Sequence, residues 1–466
     1  MSGDPKGHEL DVLVIGAGAC GLAAAIAAHD AGASVAIVEK RPRPGGNSSL
    51  STGSLPGAGT RFQRAAGIAD NPAQLVADLM RIAGETDCPE LVRRLADVSA
   101  PTVEWLVDVA GARLSLVTAY KHVGHSVVRL HAPVSRRGQD LVDDLLAAVA
   151  ARGIPLAIGN GATGLLVDQG RVIGAQLAHS GAHAGADSLA QRARKTILAV
   201  NGFAGHPDLV KRFCPDIAGA PYFGALGSTG EAVLWGEKLG AALSNIGAYQ
   251  GYAAVADPHG SLLSWTTIEK GGIIVNGRGE RFGDESAGYS GFTRNVMAEA
   301  APRFAIFDQK IFDVAAAEEE FLELARFAGL RSAERPAALA TEIGVDAGRL
   351  STAIATAGRA AKGAVVDPFG RREFGLGALD GKLYACRIVP GLFHTQGGLA
   401  VDGDGRVLDG QRRPIANLFA GGGAAGGLSG RTGGAGYASG NGLLSALALG
   451  RLAGLAVAAE IRHETN

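Results

Sequence analysis

Three glycines and one glutamate near the N-terminus have the types and spacing to hold a nucleotide. Gly16, Gly18 and Gly21 stand in the run Gly16-Ala-Gly18-Ala19-Cys-Gly21, and Glu39 closes the segment that follows. In such a run the first glycine permits a tight turn, the second lets backbone approach a pyrophosphate, and the third lets a helix lie close on a strand. A glutamate at the end of the next strand can accept hydrogen bonds from the ribose hydroxyls of an adenosine. The elements that must position these residues flank them. Asp11-Val-Leu-Val-Ile15 is an apolar run suited to a buried parallel strand, 22–31 is alanine-rich and helical with Gly32 as its stop, and Ser34-Val-Ala-Ile-Val38 is a second strand. Strand, glycine turn, helix, strand and acid is the order of a dinucleotide-binding βαβ unit, with the free N–H groups of the helix start aimed at the phosphates.

Composition narrows what such a site belongs to. The chain has 466 residues, enough for two or three domains or for one large α/β domain with an insertion. With 44 Lys+Arg against 45 Asp+Glu the formal charge is −1, which favours neither nucleic acid nor an anionic membrane as partner. Seventy residues are glycine, about twice the usual ~7%. They follow no three-residue period and are separated by apolar runs, so the chain is neither collagen-like nor disordered. Cys20, Cys88, Cys214 and Cys386 form no CxxC pair, so no metal, iron–sulfur or haem-attachment site is expected and reduced thiols in the cytoplasm are. The polar stretch 1–10 has no signal-peptide core. The apolar tail 443–461 is interrupted by Arg451 and reads as a buried helix rather than a membrane span.

Further along, 71–111 and 139–151 read as helical, 154–158, 163–167, 172–177 and 195–200 as strands, and 231–245 as helix again. The stretch 249–393 mixes short strands and helices, and its Glu318-Glu319-Glu320 reads as a solvated helix face. From His394 the glycine-rich character returns: Leu418 to Gly423 is a strand entering a turn, and Ser439-Gly-Asn-Gly442 opens the last long helix.

Several of these segments, in this order, resemble the fumarate reductase/succinate dehydrogenase flavoprotein family, and within it the 3-ketosteroid Δ1-dehydrogenase-like branch. Besides the first βαβ unit they are Gly45-Gly46-Asn47-Ser-Ser-Leu-Ser51-Thr52-Gly53, Gly124-His125-Ser-Val-Val-Arg129, Ala199-Val-Asn201-Gly202-Phe203, Gly271-Gly-Ile-Ile-Val-Asn276 with Gly279-Glu-Arg-Phe282, and His394-Thr-Gln-Gly-Gly398. The resemblance implies an α/β fold: a Rossmann-like FAD-binding domain split into 1–248 and 394–466, an α+β capping domain inserted at 249–393, and catalysis where the cap meets the flavin. It implies FAD held by Gly16, Gly18, Ala19, Gly21, Glu39 and Lys40, by Gly45, Gly46, Asn47, Ser51, Thr52 and Gly53, and by Gly164, Asn201 and Gly202. Gly422, Gly423, Asn441, Gly442, Leu443 and Leu444 complete the implied set. Family members that attach FAD covalently use a histidine after the Gly-Gly pair; Asn47-Ser-Ser-Leu-Ser51 has none, so non-covalent FAD is expected. The N–H groups of Asn441, Gly442 and Leu443 at a helix start can stabilise negative charge on the reduced flavin.

Where the family's fumarate reductases carry cations, this chain has rings. Tyr437 stands four residues before Asn441 in place of a clamp arginine, Phe312 at the place of the catalytic arginine, and Gln250-Gly-Tyr252 in place of a Gln-x-His element, while His394 is retained. An uncharged pocket suits a ketone better than a dicarboxylate. In the ketosteroid dehydrogenases a C-terminal tyrosine and a glycine N–H hold the substrate carbonyl, a second tyrosine takes the α-proton, and the β-hydrogen leaves as hydride to flavin N5. Carried over by position, this implies Tyr437 and Gly440 on the carbonyl and Tyr252 as base. A phenol titrating near ~10 needs assistance to act as a base, which Tyr120, Tyr249 or His125 can give by hydrogen bonding. His394 is placed at substrate or flavin, His125 and Phe312 at the substrate.

Arg431, inside Gly430-Arg-Thr-Gly-Gly434, can anchor a substrate carboxylate bidentately; it can equally pair with an FAD phosphate or face water. The first expectation is therefore an FAD-dependent dehydrogenase that introduces a C=C bond beside a ketone, on a cyclic or steroid-like substrate, with an external electron acceptor. The alternative is an ene-reductase of an unsaturated acid, similar to fumarate or urocanate reduction; a flavin-binding protein without turnover is the third reading.

Overall fold

The computed structural model describes residues 10–119, 121–179 and 188–465, so Tyr120 lies outside the described residues. The strand Leu10–Ile15 is apolar on both faces and accordingly central. It pairs in parallel with Val35–Glu39 on one side and with Leu189–Leu198 on the other. Leu156–Ile158 extends the sheet beyond Val35–Glu39, again in parallel. On the opposite side Leu189–Leu198 pairs in parallel with Pro414–Ala420, so the two ends of the chain share one sheet. The strands Asn160–Asp168 and Arg171–His179 hang from Leu189–Leu198 as an antiparallel meander.

The C-terminal helix Asn441–Thr465 crosses the first helix, Ala19–Asp30, backbone to backbone. A Cβ added at Gly450 would meet the Cys20 carbonyl oxygen at 2.4 Å, and one at Gly454 the Ala24 oxygen at 2.3 Å. Both contacts carry the same offset, so the helices run parallel. Among the described residues this is the one helix long and apolar enough to cross a membrane, and 78% of its apolar window is buried inside the fold. Arg451, the interruption in that window, lays its guanidinium over the Trp105 ring at 5.4 Å.

A second, mainly antiparallel sheet is centred on Leu383–Thr395, which pairs with Arg303–Asp308, Gly247–Ala256 and Leu330–Ala333. Its register sets Gln250 opposite His394 and Tyr252 opposite Gly391. Behind it Arg281, Glu285, Asp367 and Arg371 form a buried ionic cluster; Arg371 also donates to the carbonyls of Gly272 and Ile268 at 2.8 and 2.7 Å.

Two expected helices differ. The segment 71–111 is three helices, Pro72–Ala83, Pro89–Asp97 and Ser99–Asp108, because Gly84 leaves the helical region with φ +63° and Pro89 starts anew. The helix at 231 stops at Lys238, Gly240 turns the chain at φ +72°, and Leu243–Ser244 becomes a strand against Gly398–Leu399. The helix crossing makes a direct prediction. Gly454→Val should cost roughly 1–3 kcal/mol by overpacking, read as an earlier urea midpoint at unchanged slope.

Candidate functional site

A cavity of about 1020 Å³ runs between the two sheets, from the first glycine turn to the aromatic residues of the second sheet. At its first end each glycine of the turn has a separable reason. Gly16 adopts φ +105°, and a Cβ there would meet the Ala199 oxygen at 2.3 Å. Gly21 packs against that turn, its Cβ position 1.9 Å from the Gly16 oxygen. Gly18 has neither constraint: its φ is −79° and the nearest atom to a Cβ, the Gly45 oxygen, is 3.6 Å away. Its bare backbone faces the cavity and suits a ligand in contact with it. Glu39 holds the turn, accepting from the N–H of Ala17 at 2.9 Å and of Arg41 at 2.8 Å. Ala19, Gly45, Gly46, Ser51 and Thr52 also line this end. Lys40 lines it too, with Nζ donating to Glu231 at 2.5 Å and Thr229 at 2.7 Å. Asn47 accepts from the Ala225 N–H at 2.6 Å, and Asn201 donates to Ser228 at 2.8 Å, so both are oriented at the wall.

Across the cavity Gly422, Gly423, Gly442 and Leu443 form the facing wall. The N–H groups of Gly442 and Leu443 have no acceptor among the described residues, whereas those of Asn441 and Leu444 donate to Ala438 and Gly440. That corrects the expectation for Asn441, whose N–H is not open, and for Leu444, whose side chain is buried in the core. Gly53 and Gly202 likewise stand behind the wall, where a Cβ would meet Pro133 at 2.9 Å and Thr395 at 2.1 Å. Gly164 is a further correction: it lies in the strand Asn160–Asp168 with nothing within 4 Å of its Cβ position, and Ala162 is the residue of that strand that reaches the cavity.

At the other end four rings meet. Tyr289 stacks on Tyr252 with centroids 5.2 Å apart and meets Tyr437 edge-on at 5.9 Å; His394 meets Tyr437 at 5.9 Å from another side. Burial holds the Tyr437 and Tyr252 phenols well above their ordinary value, so both stay protonated. The Tyr437 oxygen faces the Gly440 N–H and lies in hydrogen-bonding reach of Tyr289, whose hydroxyl is 3.3 Å from Ser439 Oγ. Burial pushes His394 down to about 4, leaving it neutral at pH 7. Its Nδ1 faces the Gln396 amide at 3.0 Å and the Thr395 carbonyl at 3.3 Å. Behind it Asn441 donates to Ser429 at 3.4 Å and Ser429 to Gln396 Oε1 at 3.0 Å. Nε2 of His394 lies on the side of Gly442.

Several expected roles are corrected. The Tyr252 hydroxyl donates to the Leu263 carbonyl at 2.9 Å, so it is not free to take a proton. Tyr249 donates to Asp216 at 2.8 Å and offers Tyr252 no help. Gly440 lines the cavity with its N–H on the side of the Tyr437 oxygen. His125 lies behind the wall. Arg129, paired with Asp70 and Asp78 at 2.7 and 2.8 Å, donates to its Nδ1, and its Nε2 donates to the Ser439 carbonyl at 2.8 Å. Phe312 is packed on Tyr384 and Phe321 at 4.8 and 5.3 Å in the core of the second sheet. Arg431 is half exposed and paired with Glu85 and Asp87 at 2.8 and 2.5 Å, away from the cavity. Glu318 and Glu320 are exposed but belong to the cavity rim, Glu318 accepting from Ser264 at 2.8 Å. Tyr289 is the residue the sequence reading passed over; its place after Arg281-Phe-Gly-Asp-Glu285 was its only signal.

The FAD binding domain family profile matches residues 11–443. The chain belongs to this family. It is an FAD-dependent oxidoreductase, and the cavity fits its cofactor: open backbone at Gly18, a carboxylate at Glu39 and two free helix N–H groups suit a dinucleotide with anionic phosphates. The chain is 29% identical to the NADH:fumarate oxidoreductase of Klebsiella pneumoniae over 97% of its own length, and spans 47% of that relative. A flavocytochrome c3 fumarate reductase in its open conformation superposes with a TM-score of 0.80 at 28% identity, covering 97% of this chain and 79% of that one. The 3-ketosteroid-Δ4-(5α)-dehydrogenase of Rhodococcus jostii RHA1, in complex with 4-androstene-3,17-dione, superposes at 0.77 with 26% identity and 97% coverage of both chains.

Two predictions follow from the walls. Gly18→Ala should cost the apoprotein under about 1 kcal/mol yet weaken FAD binding about tenfold or more, measured by flavin fluorescence titration. Burial also pushes His125, His131 and His394 down to about 4 from an ordinary 6.5. Below 6.5 the unfolded chain takes up protons that the folded one refuses until about 4, so stability falls as pH drops through that window. Thermal melts at pH 7, 6 and 5 should show a declining Tm; a flat one would mean that these rings are charged in the folded protein.

Proposed function

We propose that this protein desaturates a cyclic or steroid-like ketone at the bond between its α and β carbons, with 249–393 acting as the cap over non-covalently held FAD. The observation that carries the reading is the junction of Tyr437, Tyr289, Tyr252 and His394, three phenols and a neutral imidazole gathered at one end of the cavity. Similarity to a ketosteroid dehydrogenase over nearly the full length of both chains supports it. All four cysteines are buried free thiols, which fits a cytoplasmic location.

The roles follow from where each hydroxyl stands. Tyr437, kept protonated by burial and steadied by the Gly440 N–H, donates to the ketone oxygen and stabilises the charge that grows there on enolisation. Tyr289, whose hydroxyl stands beside Tyr437 and 3.3 Å from Ser439 Oγ, takes the α-proton in place of Tyr252 as its own proton leaves to Ser439, whose hydroxyl in turn releases one to water at the partly exposed edge of the site. Tyr252 supports Tyr289 by stacking. His394, neutral, adds a second uncharged polar group through its Nε2 edge. FAD, when bound, supplies the two-electron acceptor for the β-hydrogen. The open N–H groups of Gly442 and Leu443 at the start of the last helix favour negative charge at that wall.

A second reading, reduction of an unsaturated acid, is favoured by the curated relative named for fumarate. Anaerobic mixing of the FAD-loaded enzyme with cyclohexanones, keto-acids and 3-ketosteroids separates the two. Bleaching of the oxidised-flavin band by a ketone is expected, slowed ~10²–10³-fold in Tyr437→Phe and ~10²–10⁴-fold in Tyr289→Phe, and far less in Tyr252→Phe. No bleaching by any ketone, with dithionite-reduced enzyme reoxidised by fumarate or urocanate, would overturn the desaturase reading.

A further inference from the structure

One cation in the cavity wall has no acid partner among the described residues and no part in the ketone chemistry. Arg136 lines the cavity, half-buried, at the turn that leads into the helix Gly138–Ala151. One side of this turn rests on the loop Ser51–Gly53: the Gly138 N–H donates to the Ser51 oxygen at 2.7 Å, and a Cβ on Gly53 would meet the Arg137 oxygen at 3.3 Å. The other side is His122, whose Nε2 accepts from Arg136 Nη2 at 3.3 Å. The next residue, Val123, accepts from the Ser439 N–H at 3.0 Å. Arg136 is thus tied on one side to the Ser51–Gly53 loop and on the other to the segment that carries Ser439 and Gly440.

Three features mark it as built for a counter-ion. Arg136 makes no ion pair with any carboxylate among the described residues, and its neighbour His122 is held neutral, pushed down to about 3 by burial and by the guanidinium itself. Its Nε is buried with no acceptor, an arrangement that native proteins keep only where something else completes it. Its backbone sits at φ +56°, a left-handed conformation that strains a non-glycine residue. Lys121 and Gln139 line the same wall. A half-buried guanidinium with an unsatisfied Nε and no acid beside it is completed when a ligand brings the negative charge.

We propose that Arg136 anchors an anion site in this wall, taking an anionic oxygen group through its planar fork. The group is either the carboxylate of a keto-acid substrate or an anionic oxygen of FAD itself. In the first case Arg136 takes over the task that the sequence pattern suggested for Arg431, and the substrate class of the proposed desaturase narrows to ketones that carry a carboxylate; that arm rests on the ketone reading.

The test uses the FAD-loaded full-length protein and its Arg136→Gln and Arg136→Lys variants, with melting temperatures as the check on folding. Cyclohexanecarboxylate and the neutral cyclohexanecarboxamide are titrated against the flavin difference spectrum, and FAD affinity and flavin midpoint potential are measured for each protein. Carboxylate binding weakened roughly tenfold to a hundredfold in Arg136→Gln, partly kept in Arg136→Lys, with the amide unaffected, assigns the site to a substrate carboxylate. Unchanged carboxylate binding with weaker FAD or a lower potential assigns it to the cofactor. No change in any of these overturns the proposal. None of the readouts needs turnover, so they stand even if no ketone reduces the flavin. Conversely, ketone bleaching preserved with every anion readout unchanged sinks the site and leaves the desaturase reading intact.

Discussion

The contact on which the site depends contains no side chains. Gly450 and Gly454 lie directly against the carbonyls of Cys20 and Ala24, and this bare-backbone crossing sets two helices parallel at close range. Parallel helices point their positive ends the same way. Here both starts, Ala19 of the first helix and Gly442 of the last, line one cavity. Two like dipole ends side by side are unfavourable on their own and become favourable when an anionic ligand sits between them. The fold thus stores, in a packing contact remote from any chemistry, a demand for the phosphates and the reducible ring of a dinucleotide. The shared sheet enforces the same arrangement, since Leu189–Leu198 joins the first strand to the strand that precedes the last helix.

Burial governs the other end. Phenols removed from water keep their protons, so Tyr437 and Tyr252 act as donors, and which of them can act on a substrate is decided by what already holds each hydroxyl. Tyr252 is committed to a backbone carbonyl; Tyr437 and Tyr289 face one another and Ser439. Two hydrogen-bond chains behind the wall keep the donors in register. Asp70 and Asp78 act through Arg129 and His125 on the Ser439 carbonyl, and Asn441 acts through Ser429 and Gln396 on His394. Both imidazoles are neutral at pH 7, so neither adds a charge to the wall, and His125 holds the Ser439 carbonyl through its Nε2–H.

Much of this architecture is written locally. The βαβ unit at 10–39 follows from an apolar run, a glycine turn and an alanine-rich helix, each of which dictates its own geometry through sterics and burial. The glycine-rich return after His394 and the long last helix are equally local signals. The sequence by itself therefore determined the nucleotide end and the cofactor class. What it could not determine is which polar groups are already satisfied, because partners lie far apart in the chain. Arg431 finds Glu85 and Asp87 across more than three hundred residues, and Phe312 packs on Tyr384 in a core. Tyr289 and Arg136 gain their meaning only from the folded cavity, where one meets Tyr437 and the other lacks an acid. Residue type and spacing specify which groups are available; hydrogen bonds and ion pairs saturate, so only the tertiary structure decides which of those groups are left free to act.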